Sequence, residues 1–551
     1  MIKDWIKSGN PWIWLTAAAV SISLILVFGL LLLIAARGLS HFWPKELVEL
    51  TYVERDGQTV SVMGEIHESE IVSAERLKDA GFVFDKEEPF YERQLLKIGN
   101  RDISGQDFKW IVRSNVSKQS MPDEALAVER REWGNFYGFL VAVKQEGNIV
   151  SEGEQAVTEL EESLARAVAL HEQIRDIEKH DIGAINYDME RLRLKQRKLE
   201  LDKKDTPDNL QAIEQERNEY QQQYDELQQQ LIKLYKEIER DSIVAKTATG
   251  QEVDIPLAKI VRVYYPNAMS IFGKTGFYIE KIWEFISDEP REANTEGGVF
   301  PAIFGTVMMV LIMSVMVTPF GVVAAVYLRE YAKQGVLTRT IRIAVNNLAG
   351  VPSIVYGVFG LGFFVYFLGG NIDQLFYPES APSPTFGTPG ILWSSLTLAI
   401  LTVPVVIVAT EEGLSRIPKA IREGSLALGA TKAETLWRTV LPMASPAIMT
   451  GLILAIARAA GEVAPLMLVG VVKLAPSLPL DTNAPFLHLD RKFMHLGFHI
   501  YDVGFQSPNV EAARPLVYAT ALLLVLVIVV LNLSAIAIRN HLREKYRSLE
   551  H

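Results

Sequence analysis

Residues 411–470 read EEGLSRIPKAIREGSLALGATKAETLWRTVLPMASPAIMTGLILAIARAAGEVAPLMLVG. The first half of this stretch is polar and lies between two apolar runs, so it forms a helix–turn–helix on one side of a membrane. Thr431 and Glu434 have the T-x-x-E spacing of a capping box. In such a box the hydroxyl takes the Glu434 amide and the carboxylate returns to the Thr431 amide. The turn Gly429-Ala430 puts glycine where the preceding helix needs a residue that tolerates positive φ. Pro418 suits a first helical turn, and Pro442 is expected to stop the second helix before the membrane. Two short capped helices held between spans make a rigid knob, a shape suited to docking into a partner's groove.

Outward from the knob, the chain is 49% apolar and 22% charged, with the charges unevenly spread. Apolar runs at 12–36, 299–328, 343–368, 391–410, 447–472 and 516–538 reach the roughly 20 residues needed to cross a bilayer. Pro319 in the second run permits a tilt or a kink. The first run follows Lys3 and Lys7, is too long for a signal-peptide core, and ends on Ala35-Ala36-Arg37, a poor cleavage site. It is therefore read as a retained helix. Orientation follows from the Lys/Arg bias. Arg329, Lys333, Arg339 and Arg342 fall on the same side as Arg416, Lys419, Arg422, Lys432 and Arg438 of the knob, and as Arg539, Arg543, Lys545 and Arg547 of the tail. Residues 369–390 carry no Lys or Arg. Both termini and the knob then lie inside, and 38–298 lies outside. The expected fold class is a mainly α integral membrane protein with six transmembrane helices and a large outer insertion.

Several function classes are excluded. The net charge of −11 sits mainly in the insertion and argues against nucleic-acid binding. With 0 cysteines there are no disulfides, thiol chemistry or Cys-ligated metals, which suits an oxidising compartment. The 9 histidines are scattered without H-E-x-x-H spacing, so no metal site is expected. There is no Walker A pattern, so the chain cannot energise transport alone. Gly273-Lys274-Thr275 is similar to the end of a P-loop, but Ala268 stands where the first glycine is required. Nothing argues for covalent catalysis.

The knob also carries a resemblance. Glu423-Gly424-Ser425, then Gly429, then Leu441-Pro442 resemble the coupling-loop motif of ABC-importer permeases, E-A-A, three residues, G, nine residues, I-x-L-P. The anchors fit, with departures at Gly424, Ser425 and Thr439. Residues 457–466, ARAAGEVAPL, resemble the R-A-x-G-E-T-A-P-L line of phosphate permeases, with Val463 in place of Thr. Its A-P-L ending is closer to the A-type than to the C-type subunit of such importers. With residues 348–357, LAGVPSIVYG, the resemblance covers about 295–540. It implies the type I, MetI-like permease fold and import of inorganic phosphate across a bacterial inner membrane. The implied partners are a homologous C-type permease, a cytoplasmic ATPase dimer that binds the ATP and Mg, a periplasmic phosphate-binding protein and membrane lipid. The chain itself needs no cofactor and is not an enzyme. Glu423, Gly429, Ala430, Thr431, Glu434, Leu441 and Pro442 become the ATPase coupling loop, within 411–445.

Arg458 and Glu462 are four apart and are read as one face of the fifth span. Charges inside a span cost several kcal/mol even on lenient scales, and i,i+4 pairing offsets part of that. The pair is either a clamp that fixes helix packing or a contact in the anion's path, since guanidinium grips phosphate bidentately. Gly350, Pro352 and Ser353 at the inner end of the third span are read as close backbone approach and helix bending. They serve either helix packing or the translocation interface.

The chain therefore divides into 1–37, with the first span; 38–298, the outer insertion; 299–538, the permease core; and 539–551, the tail. Short β-rich runs such as Thr51-Tyr52-Val53, Trp110-Ile111-Val112 and 139–143, separated by turns at Asp56-Gly57 and 146–148, fill 48–150, and a second β part covers 242–265. Both are expected to build one small domain. Between them, 152–241 is polar and helical. Leu210, Ile213, Tyr220, Tyr224, Leu227, Leu231, Leu234 and Ile238 recur at alternating three–four spacing, broken only by Arg217, as in a coiled-coil seam. A local break is expected at His180–Gly183 and a hairpin tip at 203–208, with Pro207 opening the second helix. The antiparallel arm would project roughly 50 Å and serves either as a spacer or lineage-specific decoration, or as a docking arm for a binding protein or an envelope partner. Residues 269–288, rich in aromatics, suggest a helix lying in the outer membrane interface. Two rivals are a permease for another oxyanion, sulfate or molybdate, and a membrane-anchored envelope sensor. The sensor leaves the knob and the Arg458–Glu462 pair unexplained. Leu549-Glu550-His551 could begin a purification tag.

Overall fold

The computed structural model describes residues 10–54, 57–79, 88–507 and 510–546. Lys3, Lys7, Asp56, Arg547 and Leu549-Glu550-His551 lie outside the described residues. Two units result, one built from Phe42–Gly298 and the other from the residues on either side of it.

In the second of these, six helices among the described residues are long and apolar enough to cross a membrane: Trp12–Ser40, Phe300–Tyr331, Ser353–Phe376, Ile391–Arg416, Lys432–Gly461 and Ala513–Glu544. The third starts later than expected. Val336–Leu348 is a separate amphipathic helix. The chain then turns through Gly350, whose N–H reaches the Asn347 carbonyl at 3.0 Å. Pro352 adopts an extended conformation (φ −55°, ψ 135°) and caps the span at Ser353. Proline has no N–H and disfavours helical geometry in the residue before it, so no helix passes this point. The Tyr356 hydroxyl donates to the Leu348 carbonyl at 2.7 Å and satisfies an end that the break leaves open.

The fifth span corrects two expectations. It begins at Lys432, well before 447, and Pro442 does not stop it. A π turn over Leu436–Val440 precedes the proline, and the Leu441 N–H bonds to the Leu436 carbonyl. The wider turn relieves the clash between the proline ring and the carbonyl one turn back. Knob helix and span are thus one rod. The rod ends at Gly461 rather than near 472, because Glu462 is extended (φ −81°, ψ 131°).

The fourth span lies at the centre of this unit. Leu398, Ala399, Leu401 and Val406 share one core with Met309, Val310, Met313 and Val317 of the second span, Ala455, Ile456, Ala459 and Ala460 of the fifth, and Ala535 of the sixth. Lipid tails provide no hydrophobic drive between spans, so close approach through small residues holds them together. A Cβ added at Gly451 would stand 2.6 Å from the Ala409 Cβ, and one at Gly413 2.5 Å from the Ala447 Cβ. Gly451→Leu is therefore expected to cost about 3 kcal/mol by overpacking and to lower the melting temperature in detergent. Gly424→Leu, with nothing within 4 Å of the added Cβ, should leave it unchanged. The first span touches the sixth at its end, where a Cβ on Gly38 would meet the Tyr518 carbonyl oxygen at 2.9 Å.

Among its described residues the other unit contains two large antiparallel sheets and a two-stranded ribbon pairing Pro290–Arg291 with Glu296–Gly297. One has the order β4-β3-β2-β1-β5, from β1 (Leu47–Val53), β2 (Thr59–Ser73), β3 (Phe90–Lys97), β4 (Phe108–Val112) and β5 (Val116–Ser120). The other has the order β10-β9-β7-β6-β11, from β6 (Leu126–Arg130), β7 (Phe136–Gln145), β9 (Asp241–Lys246), β10 (Glu252–Pro256) and β11 (Ile260–Tyr264), with β8 (Asn148–Glu152) on β7. Val143 pairs with Ile243, so strands that follow the helical insertion return to the sheet that precedes it.

Between β8 and β9 run Glu154–Asp176, a π turn at Ile177–Asp181, Ile182–Leu201 and then Pro207–Ile238. The expected break at His180–Gly183 is this π turn, and the helix continues through it. Lys203 takes a positive φ of 56° in the tip, and Pro207 opens the return helix. Leu210, Ile213, Tyr220, Tyr224, Leu227, Leu231, Leu234 and Ile238 are each buried or half-buried, while the residues between them are exposed except Arg217. Arg217 donates across the hairpin to Gln196 Oε1 at 2.6 Å.

His171, on the first of these helices, has its pKa pushed from 6.5 to about 4 by burial and by Arg131 and Arg175. A folded-state pKa below the unfolded one means that the unfolded chain takes up the proton first. The stability held by neutral His171 is thus complete above about pH 6.5 and is lost as pH falls towards 4. Thermal melts across that window should show a decline that His171→Gln flattens.

Candidate coupling knob and translocation site

Lys419–Ala427 forms the first knob helix, with Pro418 in the cap position just before it rather than in its first turn. Gly429 closes that helix with φ 91°, the left-handed conformation that glycine adopts without strain. The Ala430 N–H returns to the Ser425 carbonyl at 3.3 Å. Thr431 then caps the rod: its Oγ1 accepts from the Glu434 N–H at 3.3 Å, and Glu434 Oε2 accepts from the Thr431 N–H at 2.9 Å. The Ser425 and Thr435 hydroxyls lie 2.9 Å apart and tie the two helices together. Glu423 is solvent-exposed, as are the apolar side chains of Leu426, Leu428 and Trp437. Leu441 and Pro442 belong to the rod itself.

Five charged residues that sequence reasoning did not assign to the site, Arg422, Glu330, Arg342, Glu411 and Lys432, fasten the knob. Arg422 pairs with Glu330 at 3.0 Å and donates to the Ile417 and Leu414 carbonyls at 3.0 and 2.7 Å. Arg342 Nε meets Glu411 Oε1 at 3.1 Å, while its other nitrogens reach Gln334 Oε1 at 2.9 Å and the Leu328 carbonyl at 3.1 Å. Lys432 donates to the Glu330 carbonyl and lies 4.5 Å from the centre of the Tyr331 ring. The end of the second span and the start of the fifth are thereby bolted to the knob. The arginines were legible only as a charge bias, because their acidic partners are far away in the chain.

At the other end of the rod, Arg458 Nε lies 3.5 Å from Glu462 Oε1. The pair exists, but not on one helical face: Arg458 is in the last turn and Glu462 is the extended residue that ends it. The Arg458 side chain is 33% exposed and that of Glu462 21%. The break that follows packs on the third span, where a Cβ on Gly357 would stand 2.7 Å from the Pro465 Cα. A Cβ on Gly360 would meet Thr397 Oγ1 at 2.3 Å. Close backbone approach is thus made by Gly357 and Gly360 and not by Gly350, whose added Cβ would meet only the Asn347 carbonyl oxygen, at 3.4 Å. Gly350, Pro352 and Ser353 form the turn and cap before the span. Val463 Cγ2 lies 2.6 Å from where a Cβ on Gly497 would be, so it fills a tight apolar contact. Among the described residues, no group of three or more His, Cys, Asp or Glu side chains could hold a metal ion.

Residues 317–548, which include the knob, the rod and the Arg458–Glu462 pair, match the family of binding-protein-dependent transport system inner membrane components. The chain is 36% identical over 286 residues to the phosphate transport system permease protein PstA 1 of Mycobacterium tuberculosis (strain CDC 1551 / Oshkosh), covering 52% of this chain and 83% of that protein. This chain belongs to that permease family. It is also 30% identical to the probable ABC transporter permease protein YqgI of Bacillus subtilis (strain 168), over 46% of this chain and 81% of that one. To the phosphate transport system permease protein PstC of Xylella fastidiosa (strain 9a5c) it is 30% identical, over 37% of this chain and 66% of the relative. Permeases of this family are non-catalytic, and the ATPase activity resides in a partner chain.

Proposed function

We propose that this permease moves inorganic phosphate, and that Arg458 and Glu462 stand in the anion's path. The observation that carries the reading is the charged pair at the point where the fifth span breaks. Non-helical backbone at membrane depth is tolerated only where protein buries it or a water-filled path runs beside it. Transporters use such half-helix ends at their substrate sites. A guanidinium there can take phosphate bidentately, and Glu462 competes for the same guanidinium, so the grip stays weak enough for release.

An ATPase dimer on the inner side would engage Glu423, the exposed Leu426 and Leu428, and the turn from Gly429 to Thr431. About 24 Å of helix separates Pro442 from Arg458, at ~1.5 Å per residue. Because the knob helix and the span are one rod, a push at the knob would tilt the break against the third span, about the Gly350–Ser353 turn, and alternate access. The complete importer would contain a homologous C-type permease and a periplasmic phosphate-binding protein. It would lie in the bacterial inner membrane, with both termini cytoplasmic and 42–298 periplasmic. The helical hairpin, read as an antiparallel coiled coil, would serve there as a docking arm, and an arm-deleted chain with unchanged uptake would refute that role.

ATP-dependent uptake of labelled phosphate, in cells lacking their own A-type permease and supplied with this chain, tests the substrate. Suppression by arsenate but not by sulfate or molybdate is expected. Suppression by sulfate or molybdate would move the assignment to another oxyanion.

A further inference from the structure

Helix Ile271–Ser287 carries an apolar stripe that nothing among the described residues of its own unit covers. Phe272, Ile279 and Trp283 are 87%, 63% and 69% exposed and follow one another at about two turns and one turn, with Thr275 and Gly276 filling the row between them. At its margin, Glu280 is held by Arg262 at 2.8 Å. The opposite face is buried: Phe277 packs on Tyr264 at 4.7 Å, and Glu284 is engaged by Lys281, Arg262 and Arg291 at 3.0, 3.3 and 2.9 Å.

Both ends of the unit's chain are tied to this helix. The residues that directly follow the first span are fastened to it: Phe42 lies 5.1 Å from Phe285 and Trp43 5.7 Å from Tyr278, measured between ring centres, and Glu46 pairs with Lys274 at 3.1 Å. The residue that leads into the second span is fastened beside its end, with the Gly298 N–H on the Glu289 carbonyl at 3.0 Å. Both ends of the unit's chain, each within a few residues of a membrane-spanning helix, are therefore tied to this one helix.

We infer that the Phe272–Ile279–Trp283 stripe is seated in the lipid headgroup region, with the helix lying flat on the bilayer as an anchor for the 42–298 unit. Single apolar side chains on a surface are ordinary. A stripe of Phe, Ile and Trp along about 16 Å of helix, at the level where the chain enters and leaves the membrane, has the composition of an interfacial helix. Lipid, rather than a protein partner, is the occupant we assign, because the residues tied to this helix are only a few residues along the chain from two membrane-spanning helices and the stripe is aromatic and apolar. The inference does not depend on which anion is transported.

The absence of cysteine gives a direct test. Phe272→Cys, Ile279→Cys and Trp283→Cys, each labelled with a nitroxide, would be placed in vesicles of phosphatidylethanolamine and phosphatidylglycerol beside Gln222→Cys on the exposed hairpin. The ratio of oxygen to aqueous nickel-chelate collisions should rise at the three stripe positions and fall at Gln222. A ratio as low on the stripe as at Gln222 would put that face in water, and labels shielded from both reagents would put it against protein. Either result overturns the inference. Thr275→Cys, a smaller change on the same row, decides the matter if a larger replacement fails to insert.

Discussion

Arg458→Gln is expected to reduce phosphate uptake about a hundredfold or more while the chain still assembles with its ATPase. A bidentate guanidinium–phosphate grip is two charge-assisted hydrogen bonds of about 1.5–3 kcal/mol each, so its loss costs at least about 3 kcal/mol along the path, and each 1.4 kcal/mol is tenfold. If Arg458 grips the anion, Arg458→Lys should recover only part of the flux, because an ammonium lacks the planar fork. The double variant Arg458→Gln/Glu462→Gln separates the two readings of the pair. It removes the orphaned carboxylate, so a mere clamp would regain assembly and flux together. A path residue would regain assembly and leave uptake absent. Co-purification and uptake, measured on the same preparations, decide between them.

Arg422→Ala is expected to uncouple the transporter. Arg422 holds the knob through Glu330 and two carbonyls, and hydrogen bonds to charged groups contribute about 1.5–3 kcal/mol each. Without it the first knob helix should still present Glu423, Leu426 and Leu428 to the ATPase, but its displacement would no longer reach the second span. Uptake should fall more than about tenfold, for a loss of at least ~1.4 kcal/mol in coupling, while ATP hydrolysis continues. The swap Arg422→Glu/Glu330→Arg restores the charge pair but not the bonds to Leu414 and Ile417, so it should rescue only partly. Full rescue would mean that the carbonyl contacts contribute nothing.

The capping box at Thr431–Glu434, the positive φ of Gly429 and the hairpin seam were legible because each is a local pattern. A cap needs residues three apart, a left-handed turn needs glycine, and a seam needs regular spacing. The ends of the third and fifth spans were not legible from hydropathy. Apolar runs continue through Gly350–Pro352 and through Glu462–Pro465, and composition alone does not register where the backbone stops being helical. Pro442 misled in the opposite direction, since a π turn carried the helix through it.

By itself the sequence determined six apolar segments, a capped knob, a polar hairpin between two sets of strands, and charges at Arg458 and Glu462, all of them consequences of residue type and short-range spacing. Only the tertiary structure decided that Arg422 meets Glu330, that Arg342 meets Glu411, and that Gly357 lies against Pro465. Those pairs are separated by tens of residues or more and come together only when spans pack through small residues. Long-range contacts of this kind depend on which helix faces turn towards each other, and no local pattern encodes that.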